Sequence, residues 1–100
     1  MQNDYKYKIT QTSLFKKTRK LAVKRGLNIS SLEKIIEQLA KGSPLPIKNK
    51  DHQLKGRLKE FRECHIEPDW LLVYRIIEDK LVLVLSATGS HTDLFDKNLL

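Results

Sequence analysis

Hydrophobic and polar positions change their period along this chain, and each change predicts a different element. In residues 4–10, Tyr5, Tyr7 and Ile9 alternate with Lys6 and Lys8, the period of two expected of a half-buried strand. Over residues 13–25 the period lengthens. Leu14, Phe15, Leu21 and Ala22, with Thr18 between, make one helical stripe, and Lys16, Lys17, Arg19, Lys20, Lys24 and Arg25 take the other side. Gly26 is the expected stop, because a glycine past the last turn can adopt positive φ. Leu32, Ile35, Ile36, Leu39 and Ala40 predict a second helix, with Ser30 and Glu33 spaced as a capping box. Gly42 and Ser43-Pro44-Leu45-Pro46 end it, and the short Gly26-Leu27-Asn28 link predicts an antiparallel helical hairpin.

Beyond the proline-rich linker the pattern turns to strand character. Residues 60–66 read as one strand. Residues 70–77 and 81–85 are apolar β-type runs separated by Glu78-Asp79-Lys80, which predicts a hairpin. Their near-continuous apolarity predicts central strands covered by the helices. A short turn is expected around Leu94 and Phe95. The order β-α-α-β-β-β predicts an α+β fold: an antiparallel-dominated sheet of about four strands with the helical hairpin packed on one face.

One hundred residues without an internal repeat predict a single domain, residues 1–100. The first residues lack the basic and apolar regions of a signal peptide, and no apolar run approaches the ~20 residues of a membrane span. A lone cysteine, Cys64, excludes an internal disulfide. These features predict a cytoplasmic protein with no membrane partner. Cys64, Tyr74 and Trp70 each have a reading as plain core, and Pro68 as the residue shaping the turn before Asp69.

Charge then changes the picture. Residues 1–62 hold sixteen of the nineteen Lys/Arg and five of the twelve Asp/Glu, a net +11, whereas residues 63–100 carry −4. A basic excess of this size suits a phosphate backbone, because neutralised phosphates release condensed counterions. It equally suits a solvated surface.

All three histidines, His52, His65 and His91, lie in the second half, two of them beside carboxylates in Asp51-His52 and His65-Ile66-Glu67-Pro68-Asp69. Histidine exchanges protons near neutrality. RNA is cut without a metal if one group deprotonates a ribose 2′-hydroxyl and another protonates the departing 5′-oxygen, with cations at the phosphate. Two or three histidines with Arg and Lys supply those roles, and the chain has neither the carboxylate cluster of a magnesium nuclease nor Cys/His zinc spacing. Each histidine alone also reads as a surface or capping residue. Composition and spacing reach a basic α+β domain with RNA as one candidate substrate.

Three blocks extend this reading. Lys50-Asp51-His52-Gln53-Leu54-Lys55-Gly56 is followed by Phe61-Arg62-Glu63-Cys64-His65-Ile66-Glu67-Pro68-Asp69-Trp70-Leu71-Leu72-Val73-Tyr74-Arg75, then by Thr88-Gly89-Ser90-His91-Thr92-Asp93-Leu94-Phe95. In this order they resemble the YafQ branch of the RelE/ParE toxin superfamily. The resemblance covers roughly half of the chain; the N-terminal half resembles the family in pattern only.

The resemblance implies a RelE-like fold and ribosome-dependent endoribonuclease action on mRNA, with no cofactor or metal. It implies an active site of His52, His65, Asp69 and His91, with His91 as general acid and His52 or His65 as base or phosphate stabiliser. Trp70 and Phe95 are the implied aromatic RNA contacts, Phe95 stacking on a base. The implied partners are the ribosome, mRNA and an acidic ribbon-helix-helix antitoxin through which the complex binds operator DNA. Many relatives carry arginine before Thr-Gly-x-His, where it can contact the phosphate. Here that position is Ala87, so Arg62, Arg75 and Lys50 become the candidate cations. The rival expectations are a non-catalytic gyrase- or ribosome-binding relative, since one fold hosts several functions.

Overall fold

One hydroxyl both ends the first strand and starts the first helix. In the computed structural model, which describes residues 5–97 and 100, Thr12 Oγ1 accepts the Phe15 N–H at 3.0 Å and donates to the Ser86 carbonyl at 2.9 Å. Strand β1 (Lys8–Gln11) precedes it and helix α1 (Ser13–Lys24) follows. Tyr7 is buried, with its hydroxyl on Glu78, but Tyr5 is 38% exposed, so the expected alternation fails at its first member. The strand expected over residues 4–10 is therefore shorter and later, and its expected first residue, Asp4, lies outside the described residues.

Helix α1 buries Phe15, Thr18 and Ala22. Leu21, expected on that stripe, is 40% exposed. Helix α2 (Ile29–Ala40) follows the turn at Gly26, whose φ of +77° is the left-handed conformation that suits glycine. The capping box does not form. Asn28 is the N-cap, and Ser30, already inside the first turn, donates to Asn28 Oδ1 at 2.7 Å.

Strands β2 (His52–Gln53), β3 (Arg62–Glu67), β4 (Trp70–Ile77) and β5 (Val82–Gly89) complete a five-stranded sheet of order β1-β5-β4-β3-β2. Only the β1–β5 pair is parallel. The two-residue β2 adds a strand beyond the expected four, and β5 runs four residues past Leu85. Ser86 explains that extension. It is an extra residue between the pairs Tyr74↔Leu85 and Val73↔Ala87, and such a bulge reverses which face the following side chains occupy.

Registry assigns the two sheet faces. Cys64, Leu72, Tyr74, Leu83 and Leu85 join Tyr7, Phe15, Leu32 and Leu39 in the larger core under the helices. Leu71, Val73 and Ala87 point the other way and are covered by Leu94, with Leu14, Leu54, Phe61 and Phe95 around them. Leu94 and Phe95 sit in a π-helical turn, Thr92–Asp96, where a turn was expected. Where β1 diverges from β5, α1 takes over the free strand edge, and Thr18 Oγ1 accepts the Thr88 N–H at 3.1 Å. Among the described residues, no helix is long and apolar enough to cross a membrane.

Candidate active site

Strand pairing puts the histidines on the face away from the helices. His52 pairs with Glu63, Glu63 with Val73 and His65 with Leu71. Val73 and Leu71 belong to the smaller cluster, so His52, Glu63 and His65 share its face. His52 and His65 are diagonal neighbours, a separation of roughly 7–8 Å in an antiparallel pair. Leu71 pairs in turn with Gly89, which delivers the chain to His91 just beyond the strand end.

The rings of His65 and His91 lie 6.1 Å apart, centroid to centroid, and Phe95 lies 5.6 Å beyond His91. Asp69 joins them from the β3–β4 turn: its Oδ1 accepts the His91 backbone N–H at 3.4 Å, a long contact. His65, His91, Asp69 and Phe95 thus converge on one partly open surface. Lys50 borders it, lining a shallow cleft with His65, Ile66 and Pro68.

The two strand histidines differ in what their nitrogens face. His65 Nδ1 lies 3.2 Å from the Pro68 carbonyl, which can only accept, so the proton sits on Nδ1 and Nε2 retains its lone pair in the neutral ring. His52 has acceptors on both sides: the Lys50 carbonyl at 2.7 Å from Nδ1 and Glu63 Oε2 at 3.1 Å from Nε2. Either that ring carries two protons or Glu63 carries one. Glu63 is 5% exposed, and its Oε1 is buried without a hydrogen-bond partner. The carboxylate beside His52 is therefore Glu63, across the strand pair. Its chain neighbour Asp51 turns to the helix side, accepting from Tyr74 Oη at 2.5 Å and from the Arg62 guanidinium at 3.3 and 3.4 Å.

Several expected site residues are not brought together with these. Arg62 is turned to the helix face by its register with Tyr74 and is held by Asp51. Arg75 shares the histidine face but pairs with Glu60 at 3.2 Å and lies over the Phe61 ring. Trp70 is 3% exposed in the larger core and donates its indole N–H to Thr88 at 2.9 Å, leaving no ring face for a base. Lys50 remains as the candidate cation beside His65. Ala87, where the family resemblance implies an arginine, is fully buried beneath Leu94. Burial pushes the Cys64 thiol up, away from thiolate reactivity. Among the described residues, no group of three or more His, Cys, Asp or Glu could hold a metal ion.

Three contributors escaped sequence reasoning: Glu63, Arg25 and Asp93. Glu63 lay inside a quoted motif, but only strand register reveals its contact with His52. Arg25 Nη1 meets Asp93 Oδ2 at 2.6 Å across 68 positions, and no local pattern announces such a pair.

Comparison with known proteins agrees with the fold. The family described as "Bacterial toxin of type II toxin-antitoxin system, YafQ" matches residues 7–96. The mRNA interferase toxin YafQ of Escherichia coli K12 is 38% identical over 95% of this chain and 98% of that protein. The crystal structure of the E. coli DinJ-YafQ toxin-antitoxin complex superposes with a TM-score of 0.83 at 35% identity, covering 90% of this chain and 98% of that one. A metal-bound toxin from Helicobacter pylori superposes at 0.84 with 46% identity, over 89% and 99% of the two chains. With a matched family spanning most of its length and a relative above one third identity, this chain belongs to the YafQ family of type II toxins.

Proposed function

We propose that this chain is the toxin of a type II toxin–antitoxin pair, a ribosome-dependent endoribonuclease that cleaves mRNA by 2′-hydroxyl attack. The observation that carries the reading is the His65–His91 pair, 6.1 Å apart beside Phe95. Phosphodiester transfer needs a base and an acid at one phosphate, and two neighbouring histidine rings on one partly open surface supply that pair.

His65 Nε2, with the proton held on Nδ1 by Pro68, takes the proton from the 2′-hydroxyl. The 2′-oxygen attacks the adjacent phosphorus, and the bond to the 5′-oxygen breaks. His91 protonates that oxygen, leaving a 2′,3′-cyclic phosphate and a free 5′-hydroxyl. Lys50, with His52 beside it on Glu63, opposes the charge that builds on the phosphate oxygens. Asp69 steadies the His91 backbone, and Phe95 offers a ring face to one base, worth about 1–3 kcal/mol. No step requires a metal, although the Helicobacter relative is described as metal-bound.

Lys16, Lys17, Lys20 and Lys24 are all exposed on α1, while Arg19 pairs with Glu33 and Arg25 with Asp93. Those four free lysines suit ribosomal RNA. The solved complex of a relative with its antitoxin supports a cognate partner here. We assign that partner as an acidic ribbon-helix-helix protein that carries the complex to operator DNA.

Primer extension on one message, translated and naked, tests the reading. Cuts in the translated message alone are expected. Uncut translated message would return the protein to a binding-only role, and cuts in naked RNA would remove the ribosome from the mechanism.

A further inference from the structure

The position of His91 is set by little that His91 itself touches. Its backbone N–H makes one long contact, to Asp69, and its ring meets His65 and Phe95. What fixes the segment is Asp93, two residues on and 8% exposed. Asp93 Oδ2 accepts the Ser90 N–H at 3.1 Å, and Ser90 Oγ accepts the Asp93 N–H at 3.1 Å, a reciprocal pair closing the start of the turn. The same carboxylate receives two guanidinium contacts from Arg25, at 2.6 and 3.4 Å. Arg25 is the C-cap residue of α1, on an element that contributes none of the proposed reacting groups. Gly89 completes the fit: a Cβ there would stand 3.1 Å from Asp93 Cβ and 3.2 Å from its Oδ2.

We infer that Arg25 and Asp93 are positioning residues for cleavage: their ion pair ties the end of α1 to the 90–96 turn and sets His91 against His65 and Phe95. The pair touches neither base nor phosphate in the proposed reaction. Its role is to hold the proton donor where the 5′-oxygen departs, and an error of about 1 Å there can cost about a hundredfold in rate. The hydrogen bond from Arg25 holds the Asp93 carboxyl down at about 2, so the link stays charged wherever histidine chemistry runs. Lys97, 3.9 Å from Asp93 Oδ1, adds a second and weaker cation to the same carboxylate.

The inference rests on the nuclease reading, and its test separates the two. Single-turnover cleavage of translated message is measured for the full chain, for Arg25→Gln, Asp93→Asn, their double variant and Arg25→Lys. The His91, Phe95 and Tyr74 ring resonances are recorded by NMR on the same proteins. Arg25→Gln is expected to lower the single-turnover rate about tenfold to a hundredfold with KM held within about twofold. The double variant should be no slower than Asp93→Asn, because both changes remove one link. Arg25→Lys should recover part of the rate. The His91 and Phe95 resonances should shift or broaden in Arg25→Gln while Tyr74, in the other core and bonded to Asp51, stays put. Wild-type rate in a folded Arg25→Gln protein overturns the inference, as does a loss that only follows Tm. If the wild type leaves translated message uncut, the nuclease reading falls. Unmoved His91 and Phe95 resonances in Arg25→Gln would still overturn the positioning role.

Discussion

The two faces of the sheet are built from the same three strands, one residue out of step, and they do different work. Toward the helices β3 presents Cys64 and β4 presents Leu72 and Tyr74, all at most 1% exposed. Polar groups on that side are closed into pairs: Trp70 onto Thr88, and Tyr74 and Arg62 onto Asp51. Toward the C-terminal turn the same strands present Glu63, His65, Leu71 and Val73. There the apolar cover is thin, and the polar groups are left half-open, with a histidine ring at the surface and a buried carboxylate oxygen unmatched. Stability and chemistry thus alternate along each strand with a period of two. A protein of this size has little core to spare, and this one concentrates it on one side.

The comparison breaks most sharply if neighbouring faces are mutated separately. His91→Ala is expected to abolish mRNA cleavage, a loss of about 10²–10⁴-fold for a proton-transfer group, with Tm almost unchanged. Leu72→Ala should do the reverse, costing about 2–5 kcal/mol of stability while folded protein keeps its single-turnover rate. Parallel thermal melts and primer-extension assays check both. A toxic, folded His91→Ala protein would remove His91 from the chemistry, and an inactive but stable Leu72→Ala protein would mean that the faces are coupled.

Ala87 lies where the two demands meet. It is fully buried on the histidine face between Leu71, Val73 and Leu94, so the position where the family resemblance implies a phosphate-facing arginine is here filled by packing. Ala87→Arg would run its aliphatic stem through that cluster and carry its guanidinium to the rim near His65. Overpacking should lower stability by about 1–3 kcal/mol. The added cation should raise single-turnover cleavage while leaving ribosome affinity nearly constant. Lower Tm with no faster cleavage would mean that Lys50 and His52 already hold the phosphate.

Much of this arrangement was legible in the sequence, for identifiable reasons. Strand β4 was read with its observed bounds, because an unbroken apolar run is what burial on both faces requires. The continuation of β5 was not legible, since the Ser86 bulge reverses the alternation and disguises residues 86–89 as a loop. Two-residue β2 is too short to carry any period. Single-residue reasoning could not make the three histidines converge; the family motifs placed His65, His91, Asp69 and Phe95 together. The same motifs put Trp70 beside that set, and Arg62 was a candidate substitute for the arginine absent at Ala87, although register turns both toward the helices. The resemblance names a residue's position in the motif, whereas the pleat decides which side of the sheet it serves.

Tyr74 tests how far the helix face supports the other side. Its hydroxyl donates to Asp51, and both burial and that bond push its ionisation up, so it remains a donor throughout the working pH range. Tyr74→Phe leaves Asp51 with Arg62 alone and should cost about 1–3 kcal/mol. Because Asp51 anchors the loop carrying Lys50 and His52, a modest fall in cleavage should accompany the lower Tm. Unchanged cleavage would confine Asp51 to stability.

The smallest expected effect concerns acid, and it returns to the turn that covers the histidine face. Asp93 titrates at about 2 in the folded protein against an ordinary 3.8, chiefly because Arg25 hydrogen-bonds its ionised form. A depressed carboxyl binds fewer protons folded than unfolded, so its stabilisation is complete above pH 3.8 and is lost as pH falls toward about 2. Wild-type Tm should therefore lose this contribution only in that window, and Asp93→Asn should show a lower Tm near neutrality with a shallower decline below pH 4. On the helix side, Asp51 is held separately, by Tyr74 and Arg62. If melts of wild type and Asp93→Asn run parallel from pH 5 to pH 2, the Arg25 link contributes nothing to folding. The covering turn would then be held by Leu94 and the apolar cluster alone.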